Sequence, residues 1–191
     1  MKRFTKAAAA LLSGMLAVSS LPFSAMTTSA ADGDILVTGF EDGDVSMFAK
    51  RGDTDTSVIG TTTDSPYAGT TCMAVTERSK GWNGPSLALN SVGCEAGVQY
   101  LASAWVKTQW YNTINLSMQY SDSDGTQHYS NLTSVVSQGD WVQIPETKFS
   151  FSSDMLDVQI YIEGSDAADL FVDDFSLTLA PRSEERRVGK E

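Results

Sequence analysis

An all-β fold, a sandwich of two stacked antiparallel sheets, is what this sequence predicts, and three observations lead there. Short runs rich in Val, Ile, Thr and aromatic residues recur along the chain. Clusters of Gly, Asp, Asn and Ser separate them at turn-like intervals. After the N-terminal segment, no stretch shows the apolar period of a convincing amphipathic helix.

Ten strands are predicted: Ile35 to Phe40, Met47 to Lys50, Cys72 to Glu77, Ser86 to Leu89, Gln99 to Lys107, Ile114 to Ser121, Trp141 to Ile144, Lys148 to Phe151, Val158 to Glu163 and Leu170 to Leu179. Side chains on a strand alternate between two faces, so alternation shows which face is buried. In "VQIYIE", Val158, Ile160 and Ile162 line the core face, and Gln159, Tyr161 and Glu163 line the other. In "INLSMQYS", Ile114, Leu116, Met118 and Tyr120 point inward, leaving Asn115, Ser117 and Gln119 on the outer row. Asp124-Gly125 supplies a hairpin turn that delivers His128 and Tyr129 to the next segment. Trp82 stands between Gly81 and Gly84 on a turn, where packing partners are scarce, so the ring either folds back or contacts something outside the chain.

The ends differ from this body. Residues 1–31 have a basic start, an apolar middle and a small-residue exit at Ser29, Ala30 and Ala31, the order of a secretory signal, so a secreted, extracellular protein is expected. The apolar middle is broken by Ser13 and Gly14, which argues against a retained anchor. Residues 182–191, "RSEERRVGKE", switch composition abruptly and resemble the translation of a sequencing-adapter oligonucleotide, so this tail is expected to be non-native and the natural continuation past Pro181 to be missing. Residues 32–181 form one domain, large enough to bury its own core.

Of 13 basic residues, seven lie in the two ends (Lys2, Arg3, Lys6, Arg182, Arg186, Arg187 and Lys190). Of 24 acidic residues, three do (Glu184, Glu185 and Glu191). The domain keeps six bases against twenty-one acids, a net charge of −15. Such a surface repels nucleic-acid backbones and anionic membranes, and leaves neutral ligands and cations open.

Catalytic chemistry is thinly supplied. His128 is the sole histidine, no Gly-x-Ser-x-Gly elbow occurs, and Cys72 and Cys94 lack a base partner. Glu41, Glu77, Glu95, Glu146 and Glu163 could serve glycoside hydrolysis, but nothing in the sequence sets two of them at a working separation. The two cysteines read equally as buried thiols or as a disulfide. Acidic pairs at Glu41-Asp42 and Asp173-Asp174 suggest a calcium site. Asp173, read on one face with Phe171, Phe175 and Leu177, needs a cation or several hydrogen-bond donors if it points inward.

Taken in order, "FEDG", "AKRG", "TERSKGWNGPSLAL", "YLASAWVK", "YSDSDGTQHY", "IYIEG" and "FVDDFSLT" resemble a family 22 carbohydrate-binding module over Gly39 to Leu179. The resemblance implies a jelly-roll β-sandwich that binds xylan or a related β-glycan in a cleft on one sheet, with a structural calcium. It implies ligand contacts from Arg51, Trp82, Tyr129, Tyr161 and Glu163, and calcium ligands Glu41 and Asp173, or Asp174 if the register is off by one, with carbonyls near Gly69 to Thr71. Arg78, Lys80 and Asn83 flank Trp82 and are within sequence reach of the same site; Arg78 could equally pair with an acid. A tryptophan is usual in the family where this chain has Phe48, which is expected to keep a packing role. The implied protein is a monomeric, non-catalytic module of a secreted endo-1,4-β-xylanase, covalently linked to a family 10 glycoside hydrolase domain downstream. The other reading is a structural sandwich that has lost sugar binding.

Overall fold

A computed structural model describes residues 33–181. The expected signal segment and the C-terminal tail lie outside the described residues. Eleven strands build the domain: β1 Asp34–Thr38, β2 Ala49–Lys50, β3 Val58–Thr62, β4 Cys72–Thr76, β5 Pro85–Ala88, β6 Tyr100–Thr108, β7 Tyr111–Ser121, β8 Gln127–Gln138, β9 Val142–Phe149, β10 Leu156–Gly164 and β11 Leu170–Leu179. Among the described residues a single 3-10 turn, Leu89–Val92, follows β5. One sheet runs β3-β4-β11-β6-β9, with β1 pairing the second half of β11; the other runs β2-β5-β10-β7-β8. All pairings are antiparallel, and the two sheets form a jelly-roll sandwich.

The core is the set of inward positions that alternation identifies. Ile114, Leu116 and Met118 of β7 and Val158, Ile160 and Ile162 of β10 are buried against Val106, Leu170, Val172 and Leu177 of the facing sheet. Tyr120 packs at the margin of this core, only partly buried. Phe48 has its packing role, with its ring 5.9 Å from that of Phe40 and edge-on to Phe175 at 5.2 Å.

The differences in strands from the sequence reading have identifiable causes. β3 and β8 were not predicted as strands. Both are sheet edges, and much of their surface faces water, so neither carries a clear apolar row. β9 is one strand where two short ones were expected. Pro145 interrupts the pattern, yet an edge strand accommodates it where the β6–β9 register slips by one residue. In β11, a bulge at Asp173-Asp174 reverses the parity: Phe171 shares the outer face with Asp173, and Phe175 and Leu177 return to the core. The grouping of Phe171 with Phe175 and Leu177 is therefore corrected. Asp174, the extra residue, takes φ 44°, a left-handed conformation that Asp tolerates better than most residues. Of the two readings left open for Cys72 and Cys94, the structure shows free thiols at both. Burial pushes the Cys72 thiol up to about 11, so it stays protonated and unreactive at neutral pH.

Candidate functional site

The outer face of the five-stranded sheet carries the largest polar and aromatic cluster that the sequence pointed to. Antiparallel register places Gln159 opposite Gln119, Tyr161 opposite Ser117, and Glu163 opposite Asn115. The next pairing sets Gln119 opposite Tyr129 on β8. The outer rows read from β7 and β10 are thus one continuous surface.

Arg51 enters this surface from just beyond β2 and organises it. Its Nη1 donates to Glu163 Oε2 at 3.1 Å and to the Trp82 carbonyl at 3.2 Å, and its Nη2 donates to Gln119 Oε1 at 3.0 Å. The guanidinium lies 3.5 Å from the Tyr161 ring centroid, 5.7 Å from that of Tyr129 and 5.8 Å from that of Trp82. The second carboxylate oxygen of Glu163 accepts from the Ser117 hydroxyl at 3.0 Å. All five predicted contact residues therefore meet around one guanidinium.

Their roles divide by exposure. Trp82 and Tyr129 present rings to solvent, at 37% and 58% exposure. Tyr161 is 3% exposed and lies beneath Arg51, so it acts as a floor for the guanidinium rather than as an open platform. Burial pushes its phenol up, against the opposing charge of Arg51. The Arg51 side chain is only 7% exposed, and its Nε has no protein partner among the described residues. Two exposed rings flanking a fixed cation and carboxylate can hold a flat, polyhydroxylated ligand: the rings cover its C–H faces, and the charged pair hydrogen-bonds its hydroxyls.

The sequence reading left out the residues that hold this cluster together. Asp55 is buried, and its Oδ2 accepts the backbone N–H of Arg51 at 3.1 Å and of Gly84 at 3.3 Å, while its Oδ1 takes the N–H and hydroxyl of Ser57. One carboxylate thereby ties the Arg51 segment to the Trp82 loop. Gln119 and Ser117 stood on the predicted outer row, and that parity was the signal available for them; Asp55, in a loop, offered none. Arg78 and Asn83 are buried builders of the loop, not surface contacts. Arg78 donates to the carbonyls of Asn83, Gly81 and Ala168, and Asn83 Oδ1 accepts the N–H groups of Ser79 and Lys80. Gly81 and Gly84 let this loop press against β10, where a Cβ would strike the carbonyls of Gly164 and Ile162 respectively. At the β7–β8 turn, His128 Nε2 lies 2.9 Å from Asp122 Oδ2 and stacks on Tyr120.

Of the predicted calcium residues, Asp173 lies on β11 of the other sheet and Glu41 in the turn after β1. Asp173 is fully buried and accepts N–H groups from Tyr67, Ala68 and Asp174. Those three donors explain its burial without a cation. Glu41 accepts from the hydroxyl and N–H of Thr70 and the N–H of Thr71, which hold its carboxyl below the usual range. Burial and the charges of Asp173 and Glu41 push Asp174 up. Among the described residues, no three His, Cys, Asp or Glu side chains form a ready metal cage. The acids nonetheless fit a hard cation in ligand type, since Glu41, Asp173 and Asp174 gather negative charge around one loop.

The chain is similar to known carbohydrate-binding domains. A family model described as "Carbohydrate binding domain" (CBM_4_9) matches residues 34–169. Endo-1,4-beta-xylanase Y of Acetivibrio thermocellus is 27% identical over 129 residues, covering 65% of this chain and 12% of that relative's length. This chain thus spans about an eighth of that relative. Among solved structures, the CBM22-1 xylan-binding domain from Paenibacillus barcinonensis matches with a TM-score of 0.70 at 24% identity, covering 81% of this chain and all of that one. A further xylan-binding domain of family 22 matches with a TM-score of 0.69 at 25% identity, over 79% of this chain and 97% of that one. The chain belongs to the carbohydrate-binding domain family that the matching model defines, and its β-sandwich is that of the family 22 modules.

Proposed function

We propose that this domain binds xylan, or a closely related β-glycan, without cleaving it, and holds a linked glycoside hydrolase on its substrate by raising effective concentration. The convergence of Trp82, Tyr129, Arg51 and Glu163 on one sheet face carries the reading. The exposure of the Trp82 and Tyr129 rings supports it, since both are open to stack on the C–H faces of a sugar. Polymer binding would make the parent a secreted xylanase acting outside the cell, with this domain as a monomeric appendage. Affinity electrophoresis on soluble xylan tests the site: Trp82→Ala should migrate without retardation while keeping the wild-type circular dichroism spectrum. Mutant and wild type retarded alike would remove Trp82 from the site. A calorimetric titration with xylo-oligosaccharides that gives no heat and no tryptophan fluorescence change would favour the purely structural role.

The same reading includes a structural calcium held by Glu41 and Asp173, with Asp174 as the neighbouring acid. When bound, the ion would neutralise charge that three N–H donors and the Thr70 hydroxyl now share. Chelation should lower the melting temperature by several degrees relative to protein in millimolar calcium, because an ion bound only to the folded state stabilises it. Identical melting curves in the two conditions would overturn the assignment.

A further inference from the structure

We propose that the glycan-binding face continues along β7 and β8, beyond the Arg51 cluster, to Tyr111, which serves as an outlying platform for a longer stretch of the same polysaccharide chain. The inference rests on the carbohydrate-binding reading of the Arg51 site and adds to it a determinant of ligand length.

Strand parity puts Tyr111 on this face. Asn112, Ile114 and Leu116 are buried, so Tyr111, Thr113 and Asn115 point outward, in line with Ser117 and Gln119. Asn115 stands opposite Glu163 on β10 and opposite Ser134 on β8, and Thr113 stands opposite Val136. A polar lane links the two ends: Asn131 Nδ2 donates to Ser134 Oγ at 2.9 Å, and Ser134 Oγ donates to Asn115 Oδ1 at 2.8 Å. Past that lane the surface turns apolar again, with Tyr111 64% exposed and Val136 42% exposed.

Tyr111 is also held in place. Its neighbour Asn112 is buried and donates to Asp166 Oδ1 at 2.7 Å, while Trp110 Nε1 donates to Asp166 Oδ2 at 3.1 Å. The start of β7 is thereby fixed to the β10–β11 loop, so the backbone that carries the ring is already ordered. The occupant follows from chemistry and continuity. On β7 and β8 the strip from Asn115 to Tyr111 carries amides, hydroxyls, one aliphatic side chain and one ring, and it meets the Arg51 site at Glu163, opposite Asn115. That composition suits a neutral polyhydroxylated chain, whose C–H faces stack on the ring and whose hydroxyls meet the amides.

Spacing makes the idea testable. Tyr111 lies four residues along β7 from Asn115, about 13 Å, and eight from Gln119, about 26 Å. A short oligosaccharide held at Arg51 does not cover that distance, and a long one does.

The experiment is isothermal titration of wild type, Tyr111→Ala and Tyr111→Phe with xylotriose and with xylohexaose. Tyr111→Ala should weaken xylohexaose binding about three- to tenfold and leave xylotriose binding unchanged, and Tyr111→Phe should retain wild-type affinity for both. Equal losses on both ligands, or no loss on xylohexaose, would overturn the proposal and leave the Arg51 site standing, a silent variant pointing to another occupant of this surface. A wild-type protein that binds neither ligand would instead overturn the reading of the Arg51 site, and the extension with it.

Discussion

At the scale of single residues, the cluster depends on groups that align charges and groups that align backbone. Glu163 belongs to the first kind: it neutralises the guanidinium of Arg51, whose side chain is only 7% exposed. Glu163→Gln keeps an acceptor for Ser117 and loses the charge. Affinity for xylohexaose is expected to fall at least tenfold while the fold survives, read by calorimetry beside a melting curve; undiminished affinity would make the ion pair irrelevant to binding. Asp55 belongs to the second kind. Burial alone would push its carboxyl up, but the hydroxyl and N–H of Ser57 and the N–H groups of Arg51 and Gly84 outweigh it and hold it below the ordinary 3.8. A carboxyl depressed in the folded state stabilises the protein above its unfolded value and loses that contribution as pH falls through the folded one. Stability should therefore decline as pH falls below about 4, and Asp55→Asn should decline less steeply there. Parallel curves would show that Asp55 plays no part in the acid transition. Tyr161 and Glu163 were legible because a strand of alternating type exposes its outer row in the sequence. Asp55 was not legible as a link to the Trp82 loop, because its partner Gly84 lies in a separate segment that meets it only on folding.

At the scale of elements, central strands declared themselves, whereas the edge strands β3 and β8 did not. β7 and β10 each pack one clean apolar row into the core, so their outer rows could be named from sequence, and the register between them then assembled the site. β8 faces water along most of its length, so the strand that delivers Tyr129 was seen only as the segment after a hairpin turn. The bulge in β11 shows a different limit. One inserted residue inverts every later facing, and the sequence marks it only by two adjacent acids in an apolar strand. The Trp82 loop and β10 give the element-level prediction. Gly84→Ala places a methyl group against the Ile162 carbonyl, which is backbone and cannot swing aside. Such overpacking costs roughly 1–3 kcal/mol, and it should weaken xylan retardation as well, since the same strain displaces Trp82 from Arg51. A melting temperature and affinity both equal to wild type would mean that the loop and strand are less closely apposed than this geometry requires.

At the scale of the whole molecule, charge bears on which xylans the proposed site would accept. Sequence alone gave the domain −15, and none of the folding described here changes that sum. Arg51 is committed to Glu163 and Gln119, so it does not offer a free positive charge to an acidic substituent. A neutral xylan feels little of the surrounding field. A xylan bearing glucuronic acid is repelled by it over a range set by ionic strength, about 30 Å at 0.01 M salt and about 8 Å at 0.15 M. Raising salt across that range should strengthen binding to glucuronic-acid-substituted xylan several-fold and leave binding to unsubstituted xylohexaose nearly unchanged, measured by titration of both ligands in matched buffers. The sign matters, because a cleft with a cation free to receive the uronic acid would show the reverse, with affinity falling as salt rises. That reversed slope would mean that Arg51 leaves Glu163 on binding and that the ion pair is a gate rather than a fixed wall of the site.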